Sequence, residues 1–372
     1  MIYLDLSAAV HQRAGLGRYA ASLARALRPL IPDELACFYN REQGIHPVPG
    51  LEDLPTRTVA LGYKPWRLLV AAGQMLRLPF NALVPEARLF HATEHLLLPL
   101  RGIPTVLTVH DLFFRHYPTY HKRLNRWYLN LTLKLYCERA TALIAVSEYT
   151  RQDVIRTYSL PADKVHVIYE AAAPVFRPQP ADALQRVRQR YGLPERYILA
   201  VSTIEPRKNY LRLLQAFEAL HAEGLSDALV IVGRKGWLYE DFFRVLETSP
   251  ARPAVLFPGY VQDDDLPALY AAAQVLAFPS LAEGFGLPLL EALSCGTPVV
   301  CSNVTSLPEI AGDAAVLVDP LDVSAIRAGL RQVLTDAALR EELRARGLQR
   351  AAQFSWERTA QETLALYRSL LG

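Results

Sequence analysis

Residues 279–309, PSLAEGFGLPLLEALSCGTPVVCSNVTSLPE, contain the pattern that decides the fold of this chain. The apolar run from Val275 to Phe278 predicts a buried strand that leads into the loop EGFG, and Pro288 stands where a helix is expected to begin. Backbone N–H groups at such a turn can approach a ligand closely. Because these groups and the helix dipole favour negative charge, the stretch predicts a phosphate site at the helix N-terminus.

Two carboxylates flank this turn. Glu283 lies just before it, and Glu291 is expected in the first turn of the helix. Carboxylates in such positions can accept hydrogen bonds from hydroxyl groups. The alternative is that they only compensate the helix dipole. A phosphate site beside two hydroxyl-binding acids is what a sugar nucleotide requires.

A second pattern lies upstream, in YILAVSTIEPRKNYLRLLQAF, residues 197–217. It predicts a buried strand from Tyr197 to Thr203, a loop and a helix. Arg207 and Lys208 lie in the loop near the start of the helix, where the helix dipole disfavours cations. This local inconsistency indicates a ligand, and adjacent cations can neutralise a diphosphate leaving group as its charge develops.

The E-x7-E spacing around GFG and LP, together with EPRKN, resembles the donor-binding signature of retaining glycosyltransferases of family 4, which have the GT-B fold. The resemblance implies that Glu283 contacts the donor hexose, that Glu291 contacts the ribose, and that Lys208, with Arg207 nearby, contacts the diphosphate. It also implies diphosphate contacts from three backbone amides, those of Phe285, Gly286 and Leu287. One branch of the family carries a phosphate-binding arginine where this chain has Ser202. The alternatives for the missing charge are Arg207, Arg234 and Lys235.

Strand and helix signals also alternate in the first half of the chain. The predicted strands are Ile2 to Leu6, Leu35 to Tyr39, Arg57 to Leu61, Arg88 to His91, Pro104 to His110 and Ala142 to Val146. This alternation predicts a parallel, doubly wound sheet with ligands at the carboxyl ends of its strands. The fold class is therefore α/β, and the resemblance implies two Rossmann-like domains facing a cleft.

The Pro-rich span AAAPVFRPQPAD, residues 171–182, indicates an interdomain linker. We expect an acceptor-side domain at 1–172, a linker at 173–182 and a nucleotide-sugar-binding domain at 183–355. The resemblance implies that the helix at 356–372 packs back on the first domain.

Three loops of the first half hold candidate ligand contacts. HQRAGLGRYA follows the first strand, and its glycines, Gly15 and Gly17, indicate either a simple tight turn or, by the resemblance, contacts to the donor phosphate or the acceptor. His91 and His110 each stand at the carboxyl end of a predicted strand, where a histidine can bond its own loop or a substrate hydroxyl. The V-H-D setting of His110 resembles the family's histidine that faces the donor sugar.

The loops of the second half add weaker candidates. VLFPGYV, residues 255–261, is expected to border the nucleotide base in GT-B enzymes, so Tyr260 and Val261 are base-pocket candidates. Asp263, Asp264 and Asp265 could suggest a metal, but they precede the helix LPALYAAA, where aspartates cap the helix and complement its dipole. We therefore expect no metal ion and no cofactor, since the sugar nucleotide is a substrate.

Composition excludes several classes of protein. The chain has 372 residues, of which 51% are hydrophobic and 21% charged, so it is long enough for two globular domains. The four cysteines form no C-x-x-C pair, which argues against a zinc site or a disulfide framework. The N-terminus lacks a signal-peptide pattern, and no apolar run approaches the roughly 18 residues of a spanning helix. We expect a cytoplasmic protein with no nucleic-acid partner.

Charge is distributed unevenly. Residues 1–180 carry 21 Lys and Arg against 14 Asp and Glu, a net charge of +7, and the remainder carries 19 against 23, a net charge of −4. Residues 113–136 contain an apolar stripe with a helical period beside basic residues, formed by Leu124, Trp127, Tyr128, Leu131 and Leu135, and residues 63–80 have a similar basic and aromatic composition. The favoured interpretation is a surface helix with its apolar stripe in the core. The alternative is peripheral contact with an anionic membrane surface.

These patterns predict a retaining, metal-independent glycosyltransferase that moves a hexose to a hydroxyl of a glycan or lipid-linked acceptor. His110, Lys208 and Glu283 are the predicted catalytic residues. EPRKN, GLGRY and V-H-D look most like mannosyltransferases of surface polysaccharides that use GDP-mannose. The alternatives are a UDP-hexose donor or a sugar-nucleotide-binding subunit without turnover; a sugar-nucleotide epimerase, which can share the fold, is disfavoured by the two donor motifs.

Overall fold

The computed structural model describes residues 1–41 and 44–372, which form two compact units. The first unit combines residues 1–116, 123–171 and 355–372, and the second combines residues 117–122 and 172–354. Residues 117–122 thus group with the second unit although they lie early in the chain. The functional domain limits given above stay a prediction.

A parallel sheet forms the centre of the first unit. Its strands are β1 Ile2–Asp5, β2 Leu35–Asn40, β3 Thr56–Val59, β4 Leu89–Ala92, β5 Thr105–Val109, β6 Ala142–Ala145 and β7 Val165–Val167. Their order is β3-β2-β1-β4-β5-β6-β7, and Leu4 of β1 pairs with Cys37 of β2 and His91 of β4. The direction of strand addition therefore reverses between β1 and β4.

Helices of the first unit connect these strands and cover the sheet. They are α1 Ser7–Val10, α2 Ala14–Leu27, α3 Tyr63–Leu76, α4 Phe113–His116, α5 Arg123–Arg139 and α6 Glu148–Tyr158. The rings of Phe38, Trp66 and Phe90 are fully buried and contact one another in the core. The strands β1, β5 and β6 are buried on both faces, as expected for a parallel sheet covered by helices, whereas the edge strand β3 is mostly exposed.

The second unit repeats this architecture with its own core. Its strands are β8 Tyr197–Val201, β9 Ala228–Val232, β10 Val255–Leu256, β11 Val275–Phe278, β12 Val299–Ser302 and β13 Val316–Val318, in the order β10-β9-β8-β11-β12-β13. Its helices are α7 Ala181–Tyr191, α8 Tyr210–Ala222, α9 Glu240–Glu247, α10 Leu266–Ala272, α11 Leu287–Ser294, α12 Leu307–Ala311, α13 Val323–Thr335 and α14 Ala337–Ala351. All the described pairings in both sheets are parallel.

The helix α15, Trp356–Leu371, belongs to the first unit and packs on α2. The Ser355 hydroxyl caps it by accepting a hydrogen bond from the Arg358 amide at 3.1 Å. The Thr359 hydroxyl donates to the Tyr169 carbonyl at 2.7 Å, and the Tyr367 hydroxyl lies 2.5 Å from Nδ1 of His91 in the buried sheet. The core of the first unit is therefore completed by a segment that follows the second unit in sequence.

The favoured interpretation of α5 is wrong for three of the five residues of its predicted apolar stripe, which are exposed, whereas Tyr128 of that stripe is buried. Leu124 is 85% exposed, Trp127 63% and Leu131 47%. The face that packs inward is offset around the helix, and it consists of Tyr128, Leu129, Thr132, Leu133, Tyr136 and Cys137.

The capping interpretation of the aspartates before α10 is also wrong in its detail. Asp265 occupies the N-cap position, but its side chain makes no capping hydrogen bond. Its carboxylate instead accepts from the Tyr191 hydroxyl at 2.7 Å and pairs with Arg190 at 3.0 Å. Asp265 therefore links the C-terminal end of α7 to the start of α10.

Candidate active site

The two sequence motifs meet at the point where the second sheet reverses its direction of strand addition. The EPRKN loop follows β8, the EGFG loop follows β11, and β8 and β11 are neighbours in the sheet. The carboxyl ends of parallel strands at such a switch point form the usual ligand-binding crevice of doubly wound sheets. The topology therefore accounts for the meeting of two segments that lie far apart in sequence.

Asn209 holds the two loops together. The segment Pro206–Lys208 forms a single 3₁₀ turn, and Asn209 follows it with φ of 63°. Its side-chain amide donates to the carbonyls of Pro279 at 2.9 Å and Pro320 at 2.7 Å. The Leu281 amide in turn donates to the Arg207 carbonyl at 2.8 Å. These bonds fix the position of the cations relative to the EGFG loop.

Arg207 and Lys208 form one ion-pair network with two carboxylates. Lys208 Nζ lies 2.5 Å from Glu283 Oε1, and Arg207 Nη1 lies 2.7 Å from Glu283 Oε2. On its other side the guanidinium contacts Glu205 Oε1, through Nε at 3.0 Å and Nη2 at 2.9 Å. The side chain of Lys208 is 9% exposed and that of Glu283 is 8% exposed, so water screens these charges little.

The electrostatics of this network keep Glu283 ionised. Burial alone would raise the pKa of Glu283, but the charges of Arg207 and Lys208 outweigh burial and lower this pKa to about 2. Burial and the charge of Arg207 lower the pKa of Lys208, and Glu283 and Glu205 oppose that shift. Glu283 is therefore a carboxylate throughout the neutral range.

The EGFG loop turns sharply into α11. Gly286 has φ of 107°, and a Cβ atom there would lie 2.8 Å from Cδ2 of Leu307, so a side chain would be strained and crowded. The Ser306 hydroxyl contacts the carbonyls of Glu283 and Phe285, each at 3.0 Å. The helix begins at Leu287; Pro288 has no N–H group, and the amides of Leu289 and Leu290 donate to the Gly286 carbonyl at 3.0 and 3.3 Å. The phosphate site that the sequence predicts at this helix N-terminus stays a prediction, together with its ligand contacts.

Glu291 does not lie in the first turn of the helix, and that prediction is wrong. It is the fifth residue of α11, it is only 2% exposed, and its Oε2 accepts from the buried Tyr270 hydroxyl at 2.8 Å. The helix starts one residue earlier than the proline signal suggested, which moves Glu291 into the second turn. The structure therefore shows Glu291 bonded to α10, and its predicted ribose contact stays a prediction.

The structure shows the surroundings of two candidates for the charge missing at Ser202. The Ser202 hydroxyl lies 2.7 Å from the Tyr210 hydroxyl. The Lys235 ammonium lies over the ring of Phe243, 4.3 Å from its centroid. Arg207, in contrast, shares Glu283 with Lys208. Arg207 and Lys235 thus lie in different surroundings, and which of Arg207, Arg234 and Lys235 supplies the missing charge stays a prediction.

The base-pocket candidates lie on an open loop of the second unit. The ring of Tyr260 is 85% exposed, and Val261 is half-buried. An exposed ring suits stacking on a planar ligand, but no contact within the unit indicates this role, which stays a prediction.

His110 lies at the carboxyl end of β5 in the first unit and is 8% exposed. Its Nε2 lies 2.9 Å from the Thr93 carbonyl, and its Nδ1 lies 3.1 Å from Glu170 Oε1. Burial alone would lower the pKa of His110, but the hydrogen bond to Glu170 and the charge of Glu170 outweigh it and raise this pKa. Both ring nitrogens thus have protein partners, so the predicted contact with a sugar hydroxyl would require Nε2 to leave the Thr93 carbonyl.

The other first-unit candidates differ in exposure. Gly15 is exposed near the start of α2, whereas Gly17 is buried, and a Cβ atom at Gly17 would lie 2.7 Å from the Ala8 carbonyl oxygen. Gly17 therefore has a packing role against α1, while its ligand contact and that of Gly15 stay predictions.

His91 is fully buried, with Nε2 2.7 Å from the Thr108 hydroxyl, and burial lowers its pKa to about 3. His91 is a neutral core residue.

A buried acid lies at the end of β1. Asp5 is 1% exposed, its Oδ1 accepts from the Ser7 amide at 2.8 Å, and burial, with the charge of nearby Glu94, raises its pKa to about 7. Glu94 is paired with Arg13 at 2.7 Å. Asp5 therefore changes its charge close to neutral pH.

An exposed apolar face lies on the first unit, where α3 and α5 are neighbours. Arg67 of α3 donates to Asn125 of α5 at 2.7 Å, and the Tyr128 hydroxyl donates to the Arg67 carbonyl at 3.0 Å. We give the name α3–α5 face to eight exposed residues on these helices; they are Lys64, Leu68, Leu69, Leu76, Arg123, Leu124, Trp127 and Leu131. Large apolar side chains beside lysine and arginine are unusual on a surface that meets only water.

Sequence reasoning missed several residues of the site. Glu205 stands within the quoted EPRKN segment, but nothing local indicates that its buried carboxylate binds Arg207. Tyr270 and Ser306 lie on other elements and meet Glu291 and the EGFG loop only in the folded unit. In residues 1–41 and 44–372, no group of three or more His, Cys, Asp or Glu is arranged to hold a metal ion. Within the same ranges, no helix combines the length and apolarity needed to cross a bilayer.

Comparison with known proteins agrees with this geometry. The family model described as "Glycosyl transferases group 1" matches residues 185–350, and the model "Glycosyltransferase Family 4" matches residues 13–172. Sucrose-phosphate synthase from Thermosynechococcus elongatus superimposes with a TM-score of 0.81, at 24% identity, over 99% of this chain and 98% of that one. Anabaena HepE in complex with UDP and glucose superimposes with a TM-score of 0.75, at 20% identity, over 99% of both chains. The fold is therefore GT-B, the two-Rossmann-domain fold of one large class of glycosyltransferases.

The curated relatives narrow this class to a family. O-antigen chain mannosyltransferase B of Escherichia coli is 36% identical over 369 residues, which cover 96% of each chain. O-antigen chain mannosyltransferase RfbU of Salmonella typhimurium is 27% identical over 67% of this chain and 66% of the relative. The chain belongs to the glycosyltransferase family that the two models describe, together with the O-antigen mannosyltransferases of polysaccharide biosynthesis.

Proposed function

We propose that this enzyme is a retaining glycosyltransferase of family 4 that transfers mannose from GDP-mannose to a hydroxyl of a glycan or lipid-linked acceptor. One observation carries the proposal: a buried lysine and arginine share Glu283 at the N-terminus of α11, at the switch point of the second sheet. The 36% identity to an O-antigen mannosyltransferase along nearly the whole chain supports mannose as the sugar.

The reaction breaks the bond between the anomeric carbon and the diphosphate, and forms a bond from that carbon to the acceptor oxygen on the same face. The acceptor proton passes to an oxygen of the departing diphosphate. Lys208 and Arg207 supply positive charge where negative charge develops on the leaving group, in a site with little water. Glu283 accepts hydrogen bonds from the hexose, and His110 donates to a sugar hydroxyl.

A panel of nucleotides tests the donor. Thermal stability and calorimetric binding should be measured with GDP, UDP, ADP and their hexose conjugates, each with and without EDTA. Selective stabilisation by GDP and GDP-mannose that survives EDTA is the expected result. A preference for UDP would overturn the donor but leave the family, and binding without turnover on any acceptor would favour a regulatory subunit.

We further propose that the α3–α5 face binds an anionic membrane surface, where a lipid-linked acceptor would be found. The face combines exposed leucines and Trp127 with lysine and arginine, and tryptophan favours the boundary between headgroups and acyl chains. The net charge of +7 on residues 1–180 adds attraction to acidic headgroups.

Vesicle sedimentation tests this surface. The protein should bind vesicles of phosphatidylcholine with phosphatidylglycerol, bind phosphatidylcholine alone much less, and lose binding in the double variant Leu124→Ser, Trp127→Ser. The control is Leu321→Ser, which changes a 64% exposed leucine in the second unit. Equal binding by the double variant and the wild type would exclude the α3–α5 face.

A further inference from the structure

The cations of the donor site are already neutralised by the protein itself. Two positive groups, Arg207 and Lys208, face two carboxylates, Glu205 and Glu283, and all four side chains are largely buried. A buried cation that is already charge-paired gains less from a second anion while the first one stays, because the two anions share its positive charge and repel each other. A donor diphosphate therefore competes with these carboxylates.

The two carboxylates are bound in different ways. Glu205 is 3% exposed and directly precedes the 3₁₀ turn that carries both cations. Its Oε1 accepts from both Nε and Nη2 of Arg207, whereas its link to Lys208 is a backbone one, since the Lys208 amide donates to the Glu205 carbonyl at 3.0 Å. Glu205 moves with its partner, because both belong to one short turn fixed by Asn209.

Glu283 bridges the two cations from a different loop. Its two oxygens divide between Lys208 Nζ at 2.5 Å and Arg207 Nη1 at 2.7 Å. The two outward positions of the cations, those that a pair of phosphate oxygens would use, are thus filled by the carboxylate that the proposed function assigns to the hexose.

We propose that Glu283 is an exchangeable counter-ion that the donor diphosphate displaces, while Glu205 is a positioning residue that keeps the guanidinium of Arg207 in place. The inference rests on the proposed function, since it takes a nucleoside diphosphate as the ligand. When the donor binds, its phosphate oxygens take over Lys208 and Arg207, and Glu283 turns to the hexose hydroxyls. Once the hexose has left, Glu283 has lost its hydroxyl partners and returns to the cations, which promotes release of the nucleoside diphosphate.

This arrangement has a consequence for binding that distinguishes the two acids. Each variant that removes one of them removes a negative charge beside Arg207, so simple charge repulsion predicts tighter GDP binding in both. If Glu283 is exchangeable and Glu205 positions Arg207, the two variants should change the affinity for GDP in opposite directions. Glu283→Gln removes the competitor and should bind GDP about tenfold more tightly, whereas Glu205→Ala frees Arg207 from its fixed position and should bind GDP about tenfold more weakly.

Calorimetric titration with GDP tests the inference on the full chain. The matched control is Glu247→Gln, which changes a carboxylate that is 67% exposed in the same unit and should leave the affinity unchanged. Glu205→Gln, which retains an acceptor oxygen for Arg207, should restore part of the affinity lost in Glu205→Ala. A general loss of structure would give no such rescue.

A second variant of Glu283 distinguishes loss of the competing carboxylate from a general loss of the fold. Glu283→Asp keeps the charge but is one methylene shorter, so it cannot reach both cations, and it should bind GDP more tightly than the wild type but less tightly than Glu283→Gln. Unchanged or weaker GDP binding in both Glu283 variants would overturn the exchange while leaving the donor proposal intact. A wild-type chain that binds no nucleoside diphosphate would overturn the proposed function and this inference together.

Discussion

Lys208 places a positive charge on a side chain that is only 9% exposed, at the end of a strand rather than at the surface. A lysine in such a position loses hydration, and the loss is offset chiefly by Glu283, with a smaller contribution from the charge of Glu205. We expect Lys208→Ala to lower transfer by about two orders of magnitude or more, since a contact to the developing charge of the leaving group is lost.

The steady-state rate of transfer checks this prediction, with Lys235→Ala as the matched control. Lys235 is another lysine of the same unit, but its ammonium lies over the ring of Phe243. Unchanged turnover in Lys208→Ala, or an equal loss in both variants, would contradict the phosphate role of Lys208.

Asp5 gives a pH prediction of a definite sign. Its pKa in the folded chain is raised from 3.8 to about 7, chiefly by burial. Below about pH 4 both states are protonated, and as the pH rises from 4 to 7 the unfolded state ionises first, so Asp5 costs stability increasingly up to about pH 7. Asp5→Asn, which keeps an oxygen for the Ser7 amide, should therefore stabilise the chain more at pH 8 than at pH 4.

Urea unfolding of the wild type and Asp5→Asn at both pH values measures this difference. Asp33→Asn is a suitable control, because Asp33 is a solvent-exposed acid of the same unit. A gain in the free energy of unfolding that is the same at pH 4 and pH 8 would mean that Asp5 does not titrate in this window.

The chemistry of single residues explains which residues of the candidate site could be predicted from the sequence. Arg207, Lys208 and Glu283 could be found because each contradicts its local setting or belongs to a motif. The contact of Glu291 with Tyr270 could not, because it joins two helices and depends on where α11 begins. Glu205 was visible in the motif, but its pairing with Arg207 depends on the rotation of the 3₁₀ turn.

Among the elements, α15 has a larger effect than its position in the sequence suggests. It supplies the hydroxyl of Tyr367 to His91 and the indole of Trp356 to Tyr19, whose ring centroid is 5.9 Å away. Deletion of residues 355–372 should therefore expose the core of the first unit and lower its melting temperature, while the second unit keeps its sheet and its GDP site.

Thermal unfolding and GDP titration of the deletion variant check this expectation. The milder variant Ser355→Ala, which removes only the helix cap, should cost about 1 kcal/mol. Loss of GDP binding after the deletion would show that the donor site does not belong to the second unit alone.

Strands were easier to predict than the burial of helices. The strands β1, β5, β8 and β11 are short, mostly apolar runs, so they could be located to within one or two residues. The three-residue strand β7 was missed because so short a run carries little periodic signal. In α5, apolar residues line both the inner and the outer face, so a helical period identified the helix but not the side that packs inward.

On the scale of the whole molecule, two separate cores lead to a prediction about where a ligand acts. GDP should slow amide hydrogen exchange in residues 203–209 and 281–291 of the second unit, because these loops form the proposed diphosphate site. The strands β4, β5 and β6 should show little change. Mass spectrometry of proteolytic peptides, with and without GDP, measures the effect, and protection confined to the first unit would contradict the site.

The fold class and the family were predictable from the sequence because the two donor motifs are local. The division of the chain into units was less predictable. A linker could be inferred from the prolines of residues 171–182, but two of those residues already belong to α7. The grouping of residues 117–122 with the second unit rests on contacts over long sequence distances, such as the bond from Trp237 Nε1 to the Tyr120 carbonyl at 2.7 Å. No local pattern encodes such a contact.

The return of α15 to the first unit also affects how the protein is made. During translation the first sheet leaves the ribosome early, yet the side chains that close its core on α2 and His91 are synthesised only after the entire second unit. Nascent chains emerge at about 5–20 residues per second, so this core stays open for many seconds while its partner domain is completed. We therefore expect chaperones to bind chiefly the first unit during synthesis. In a chain that stops just before α15, the first unit should be the part most sensitive to proteolysis.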